Sequence, residues 1–259
     1  MTEPGNAIAN DILRNCVHCG FCTATCPTYV LTGNELDSPR GRIYLFRNML
    51  GSDRPPSEST VRHTDRCLSC LSCMTTCPAS VDYMHLVDEA RSRIEKTYTR
   101  SFSDRLLRKL LTRVLPNPRI FRFALFFARL GKPLADLMPE RIRALLHLAP
   151  TKIKAASNTG YPQIFRPEGK PKMRVALMTG CAQQVLRPSI NEASIRLLTR
   201  YGCEVVIANG AGCCGALAHH MGRENDAARA AYTNIAAWNN AREEYGELDA
   251  IVINTSGCG

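Results

Sequence analysis

The sequence has no segment that could cross a bilayer as a helix. Its longest strongly apolar stretch, Ile120 to Leu130, is interrupted by Arg122 and Arg129 and falls far short of the roughly 20 residues a span needs. The amino terminus, Met-Thr-Glu-Pro-Gly-Asn, lacks the basic and apolar regions of a secretory leader. An integral membrane protein is not expected, nor is a disulfide-stapled secreted domain. The motifs G-x-S-x-G, H-E-x-x-H and the P-loop are missing as well, which removes the common hydrolase and phosphate-cradling classes. No flavin motif can be found, and no catalytic residue is assigned. Gly210-Ala-Gly212-Cys-Cys-Gly215 does match G-x-G-x-x-G after a strand pattern. The next strand, however, ends in Asn254-Thr255 rather than in the acidic residue that a dinucleotide ribose needs. Neither FAD nor NAD is expected on this chain.

What is abundant is cysteine. The 259 residues include 13 cysteines, an odd number that fits poorly with closed disulfides and better with metal ligation. Cys16-Val-His-Cys19-Gly-Phe-Cys22-Thr-Ala-Thr-Cys26-Pro27 returns as Cys67-Leu-Ser-Cys70-Leu-Ser-Cys73-Met-Thr-Thr-Cys77-Pro78. Both copies read C-x2-C-x2-C-x3-C-P. Three cysteines at this spacing wrap one corner of an iron–sulfur cube, and the fourth, before proline, ligates the other cluster. The expected sets are therefore Cys16, Cys19, Cys22 and Cys77 for the first [4Fe–4S] cluster, and Cys67, Cys70, Cys73 and Cys26 for the second. Zinc fits less well, because its sites pair two C-x2-C halves across a longer gap. His18 lies inside the first block, but the four ligand positions are already filled, so it is read as a solvent-facing neighbour.

Charge and cysteine divide the chain into three. Residues 1–98 carry both blocks with helical patterns at Arg40 to Leu50 and Val81 to Lys96, and read as an α-helical dicluster domain. Residues 99–171 form a basic helical segment and linker, with amphipathic runs Phe102 to Leu115, Ile120 to Leu130 and Arg141 to Leu148. Residues 91–154 hold 16 Lys and Arg against 4 Asp and Glu, within a chain whose formal net charge is +10. Phe121, Phe123, Phe126 and Phe127 follow the amphipathic pattern and are expected to face a core. They do not interleave with bases as a nucleic-acid platform would require, and no nucleic-acid partner is expected. Residues 172–259 alternate strands (Met173 to Met178, Glu204 to Ala208, Ala250 to Asn254) with helices (Ser189 to Tyr201, about Asp226 to Tyr245), the mark of a parallel sheet between helical layers. Cys181, Cys213, Cys214 and Cys258 follow the three strands, at the edge where such sheets bind ligands. They form a candidate third site. Cys203 begins a strand at the opposite edge and is read as packing, as is Trp238. His219 and His220 are read as solvated. The last strand lacks a helix to cover it, and the chain is expected to be truncated there. The fold class is α+β multidomain: a helical two-cluster domain, then an incomplete three-layer α/β domain.

The strings CVHCGFCTATCPTYVLTGNELDSPRGRIYLFR, DRCLSCLSCMTTCP, MTGCAQ, AGCCGA and NTSGCG resemble, in order, those of the iron–sulfur subunits of bacterial glycolate oxidase. The iron–sulfur subunits of anaerobic glycerol-3-phosphate dehydrogenase and heterodisulfide reductase are similar too. The resemblance implies a two-cluster ferredoxin domain followed by cysteine-rich CCG repeats, of which residues 172–259 would be the first. It implies an electron-transfer subunit that serves flavoprotein partners oxidising glycolate to glyoxylate and passes electrons to a quinone-type membrane acceptor. A subunit of a related oxidoreductase is the alternative, and a reductase acting at the CCG site stays open. The expected location is cytoplasmic, with the basic runs of residues 102–148 giving peripheral contact with an anionic membrane at the cytoplasmic face of the inner membrane.

Overall fold

The computed structural model describes residues 4–52 and 54–258, and several of its helices begin where the sequence supplies a cap. Helix α1 covers Pro4–Arg14 and α2 covers Pro27–Thr32. Ser38 then accepts the Gly41 amide at 2.9 Å and Pro39 occupies the first turn of α3 (Pro39–Leu50), where its missing N–H is no loss. Ser57 and Asp82 cap α4 (Glu58–Asp65) and α6 (Tyr83–Thr97), with α5 (Ser72–Thr76) between them. Leu86, Val87, Ala90 and Ile94 on α6 recur at helical spacing and are buried with Ala9, Leu13, Ile43 and Phe46. This core belongs to a unit of residues up to Ser101 together with Leu217–Glu224. Gly222 in the returning segment sits directly on the backbone of Arg91 and Ser92, where a Cβ would collide.

The second unit holds Phe102–Ala216 and Asn225–Gly259. It starts with α7 (Phe102–Val114), α8 (Pro118–Gly131) and α9 (Glu140–Leu148). Of the four phenylalanines expected to face a core, Phe121 is buried beside Leu125. Phe123, Phe126 and Phe127 are exposed instead, at 65, 52 and 52%. One stripe of α8 finds partners, and residues 121 and 125 take it. The other three rings pack edge-on against one another.

The sheet has strand order β1-β3-β2-β4, with β1 Gln163–Phe165, β2 Met173–Met178, β3 Cys203–Ile207 and β4 Ala250–Ile253. β2 pairs parallel with both β3 and β4, while β1 runs antiparallel at the edge. β1 lies within the stretch read as linker. Three residues are too few to show a period, so only pairing with β3 defines the strand. Helix α10 (Gln183–Leu186) and helix α11 (Ser189–Arg200) follow β2, α12 (Ala216–His220) follows β3, and α13 (Glu224–Tyr245) leads to β4. Ile195 of α11 packs with Val175, Leu177, Val205 and Ile207 on one face. Ala237 and Ala241 of α13 pack with Val206 and Ala208 on the other. Helix, sheet and helix make three layers. On β4, Ile251 and Ile253 remain 43 and 40% exposed.

Candidate metal centres

Each cysteine block is a tight loop shaped by two left-handed residues. In the first, His18 (φ 54°) and Gly20 (φ 85°) flank Cys19; in the second, Ser69 (φ 51°) and Leu71 (φ 56°) flank Cys70. The repeated sequence folds as a repeated backbone. Non-glycine residues pay about 1–2 kcal/mol each for this conformation, so the surroundings hold these loops in shape. Backbone turned this way aims successive N–H groups into one concavity, which suits an anionic group. Cys26 and Cys77 are extended (ψ 111° and 113°), as residues before proline must be. Pro27 then opens α2. The Thr76 hydroxyl donates to Thr25 at 3.4 Å, joining the two blocks.

A small cavity is lined by Cys16, Cys19, Cys22 and Cys77, and Cys73 also reaches its wall. The fourth thiol of the first set comes from the second block. Around Cys73 stand Cys67, Cys22, Cys26 and Cys70; burial first, and then these neighbours, push its thiol up to about 12. Burial likewise raises Cys22, with Cys16 and Cys77 adding to it. Thiols crowded out of water in this way resist ionising unless cations lie among them, which the irons of two cubes would provide. Eight soft donors in two sets of four fit such clusters. No three His, Cys, Asp or Glu side chains among the described residues meet at one ion-sized point.

One set has an elaborate polar lining. Gly41 lies so close to the Glu35 backbone that a Cβ would collide, and this approach seats the next residue, Arg42, inside the unit at 1% exposure. Arg42 donates from Nε to the His63 carbonyl at 2.7 Å and from Nη2 to the Thr28 hydroxyl at 3.1 Å, while Nη1 lies 4.0 Å from Cys26 Sγ. Asp37, fully buried, receives Arg66 at 2.9 Å, pairs with His63 Nδ1 at 2.7 Å, and lies 3.7 Å from Arg42. Burial alone would raise its carboxyl, but the bonds to His63 and Arg66 win and hold it below the ordinary range. Buried Tyr83 donates to Cys67 Sγ at 3.8 Å.

In the second unit, the loops after β2, β3 and β4 bring Cys181, Cys213, Cys214 and Cys258 together, each interacting with the next. The contact with Cys213 lowers Cys181 to about 7. Contacts from Cys213 and Cys258 lower Cys214; Cys181 and then Cys214 raise Cys213, and Cys214 raises Cys258. The backbone amides of Gly215 and Ala216 point at the sulfurs of Cys213 and Cys214, at 3.5 and 3.4 Å. Buried amides hold the loops in place. Asn234 donates to the Cys213 carbonyl and accepts from Gly212, both at 2.9 Å. Gln183 bonds Asn191 at 2.7 Å and Asn254 at 2.6 Å, tying the loop after β2 to the end of β4. A cleft of about 670 Å³ opens beside Cys181 and Cys213.

Cys203 is buried in the sheet core, apart from these thiols. His18 is exposed and offers its ring to Arg47 at 3.3 Å. His219 and His220 are partly exposed, and both reach Asp88, at 3.1 and 3.5 Å. Asp37, Arg42, His63, Tyr83, Asn191 and Asn234 were not singled out by sequence. Arg42 offered a signal: it stands four residues before Phe46 and seven before Met49, on the buried stripe of α3.

Residues 15–81 match the 4Fe-4S dicluster domain, and residues 175–259 match the cysteine-rich domain CCG. The chain is 43% identical over 251 residues to the glycolate oxidase iron-sulfur subunit of Escherichia coli K12, covering 97% of this chain and 58% of that protein. It is 34% identical over 260 residues to a probable glycolate oxidase iron-sulfur subunit of Bacillus subtilis 168, covering 95% and 57%. Lactate utilization protein A of Bacillus velezensis FZB42 is 35% identical over 69 residues, 27% of this chain and 29% of that protein. The chain spans under three fifths of the length of the first two relatives. No solved structure matches.

Proposed function

The chain carries a 4Fe-4S dicluster domain and a cysteine-rich CCG domain and is similar along nearly its whole length to glycolate oxidase iron–sulfur subunits; from that premise we propose that it relays electrons from a flavoprotein partner that oxidises glycolate to glyoxylate. The observation that carries the reading is the grouping of eight thiols in the first unit, with Cys77 and Cys73 on one cavity wall with Cys16, Cys19 and Cys22 and Cys67, Cys22, Cys26 and Cys70 around Cys73. These sets would hold two [4Fe–4S] clusters, which take and release single electrons and so split a two-electron oxidation into single steps. The protein's own part is to fix the thiols, exclude water and place charge around them. Cys181, Cys213, Cys214 and Cys258 are the ligands we assign to a third centre. The acceptor is a membrane quinone. A flavoprotein acting on another small hydroxy acid or on glycerol phosphate is the second reading, because the substrate is chosen on the partner.

Contact with the membrane falls to α7 and α8. Phe102, Leu106 and Leu110 on α7, and Phe123 and Phe127 on α8, are all more than half exposed, beside the exposed bases Arg105, Lys109 and Arg113. A basic, apolar face of this kind matches an anionic lipid surface, each base contributing about 1 kcal/mol there. The test uses the anaerobically purified chain with its flavoprotein partner. Glycolate should reduce the clusters, seen as bleaching of their visible absorption, and the complex should bind vesicles of anionic but not neutral phospholipid. Bleaching by glycerol 3-phosphate alone would favour the second reading. Unchanged vesicle binding after Arg105, Lys109 and Arg113 are replaced by Gln would remove the membrane role.

A further inference from the structure

Given the two-cluster reading, on which the inference rests, the two thiol sets of the first unit differ in the charge placed beside them. Beside Cys26 stands the Arg42 guanidinium, a cation at any accessible pH, buried at 1% exposure and so poorly screened by water and salt. Asp37 is 3.7 Å from it but also bonds Arg66 and His63. The two arginines outnumber the one carboxylate, and the group is cationic. Arg42 also interacts electrostatically with the Tyr83 hydroxyl, which donates to Cys67.

Among the described residues, the other set has a cation of a different kind. Arg40 lines its cavity and acts on Cys22, but it is about a third exposed, is matched by Glu35 at 2.7 Å, and bonds a backbone oxygen, that of His18, at 3.3 Å. Arg47 reaches the His18 ring. We infer that Arg42, acting with Tyr83, raises the reduction potential of the cluster held by Cys26, Cys67, Cys70 and Cys73 above that of its neighbour, and so sets the direction in which an electron passes between them. Reduction adds one electron and one negative charge, and a fixed cation and hydrogen bonds to the ligand sulfurs stabilise the added charge. The electron leaves the reduced neighbour, which returns to its oxidised state. No bond is made or broken, and no proton is required.

The test is a potentiometric titration of the anaerobically purified full chain, followed by electron paramagnetic resonance. Two one-electron transitions are expected, the higher one belonging to the signal that Cys70→Ser perturbs. Arg42→Gln should weaken that reduction at least tenfold, a drop of about 59 mV for one electron. Arg42→Lys should recover most of the loss. Tyr83→Phe, which removes one hydroxyl from an intact core, should lower the same transition by less. It decides the matter alone if Arg42→Gln does not assemble. Unchanged potentials in a chain with two four-iron clusters overturn the inference while leaving the relay standing, and so does a shift confined to the signal that Cys19→Ser perturbs. A chain whose iron and sulfide fall short of two clusters overturns both.

Discussion

The first unit gathers its thiols from two local repeats, while the second gathers them from three loops at one edge of a sheet. In the first, eleven consecutive residues fix three thiols of one set and one of the other, through left-handed residues that recur at matching positions. In the second, Cys181 and Cys258 lie far apart in sequence, and they meet through β2, β4 and a lattice of amides around Gln183, Asn191 and Asn254. The polar support differs as well. Side-chain charge stands behind Cys26 in the first unit, whereas backbone amides and other thiols surround Cys213 and Cys214 in the second. Hydrogen bonds to sulfur tune a reduction potential in both units, and the buried charge of the first adds a further shift.

That contrast breaks most visibly at Asp37. Removing its charge leaves Arg42 without its nearest carboxylate, and loss of one partner from a buried pair costs about 3–5 kcal/mol. Asp37→Asn should lower the denaturant midpoint of the full chain by that order. The sign with pH follows from the depressed carboxyl. Its contribution is complete above the ordinary carboxylate range and is lost as pH falls through the lower, folded value. The gap between Asp37→Asn and the parent should therefore narrow in acid. A gap that widens would mean that the carboxylate does not stabilise the fold.

A smaller effect is expected in the second unit. Asn234→Ala leaves the Gly212 amide and the Cys213 carbonyl without their partner, at about 1–3 kcal/mol. Alkylation of Cys213 and Cys214 should become faster in this variant, while cysteines of the first unit keep their rates. Equal rates throughout would mean that the amides do not hold the thiol loops.

The same contrast explains what the sequence made legible. The two blocks carry their backbone geometry in spacing, so the matching left-handed turns at His18 and Gly20 and at Ser69 and Leu71 follow from the repeated order of residues. The strands β2, β3 and β4 were legible because buried parallel strands are short apolar runs. β1 was not, since three residues have no period. Asp37, His63 and Tyr83 escaped because nothing local marks a polar residue as buried; their partners come from other helices. The phenylalanines of α8 misled because amphipathic spacing shows that one stripe is apolar without saying how much of it finds a core.

The central claim is that each cluster borrows its last thiol from the opposite block. It is tested most directly by the electron paramagnetic resonance spectrum of the reduced Cys77→Ser chain. The crossed arrangement predicts that the altered signal is the one Cys19→Ser alters, with the Cys70→Ser signal untouched. Alteration of the Cys70→Ser signal alone would contradict it and place each block around its own cluster.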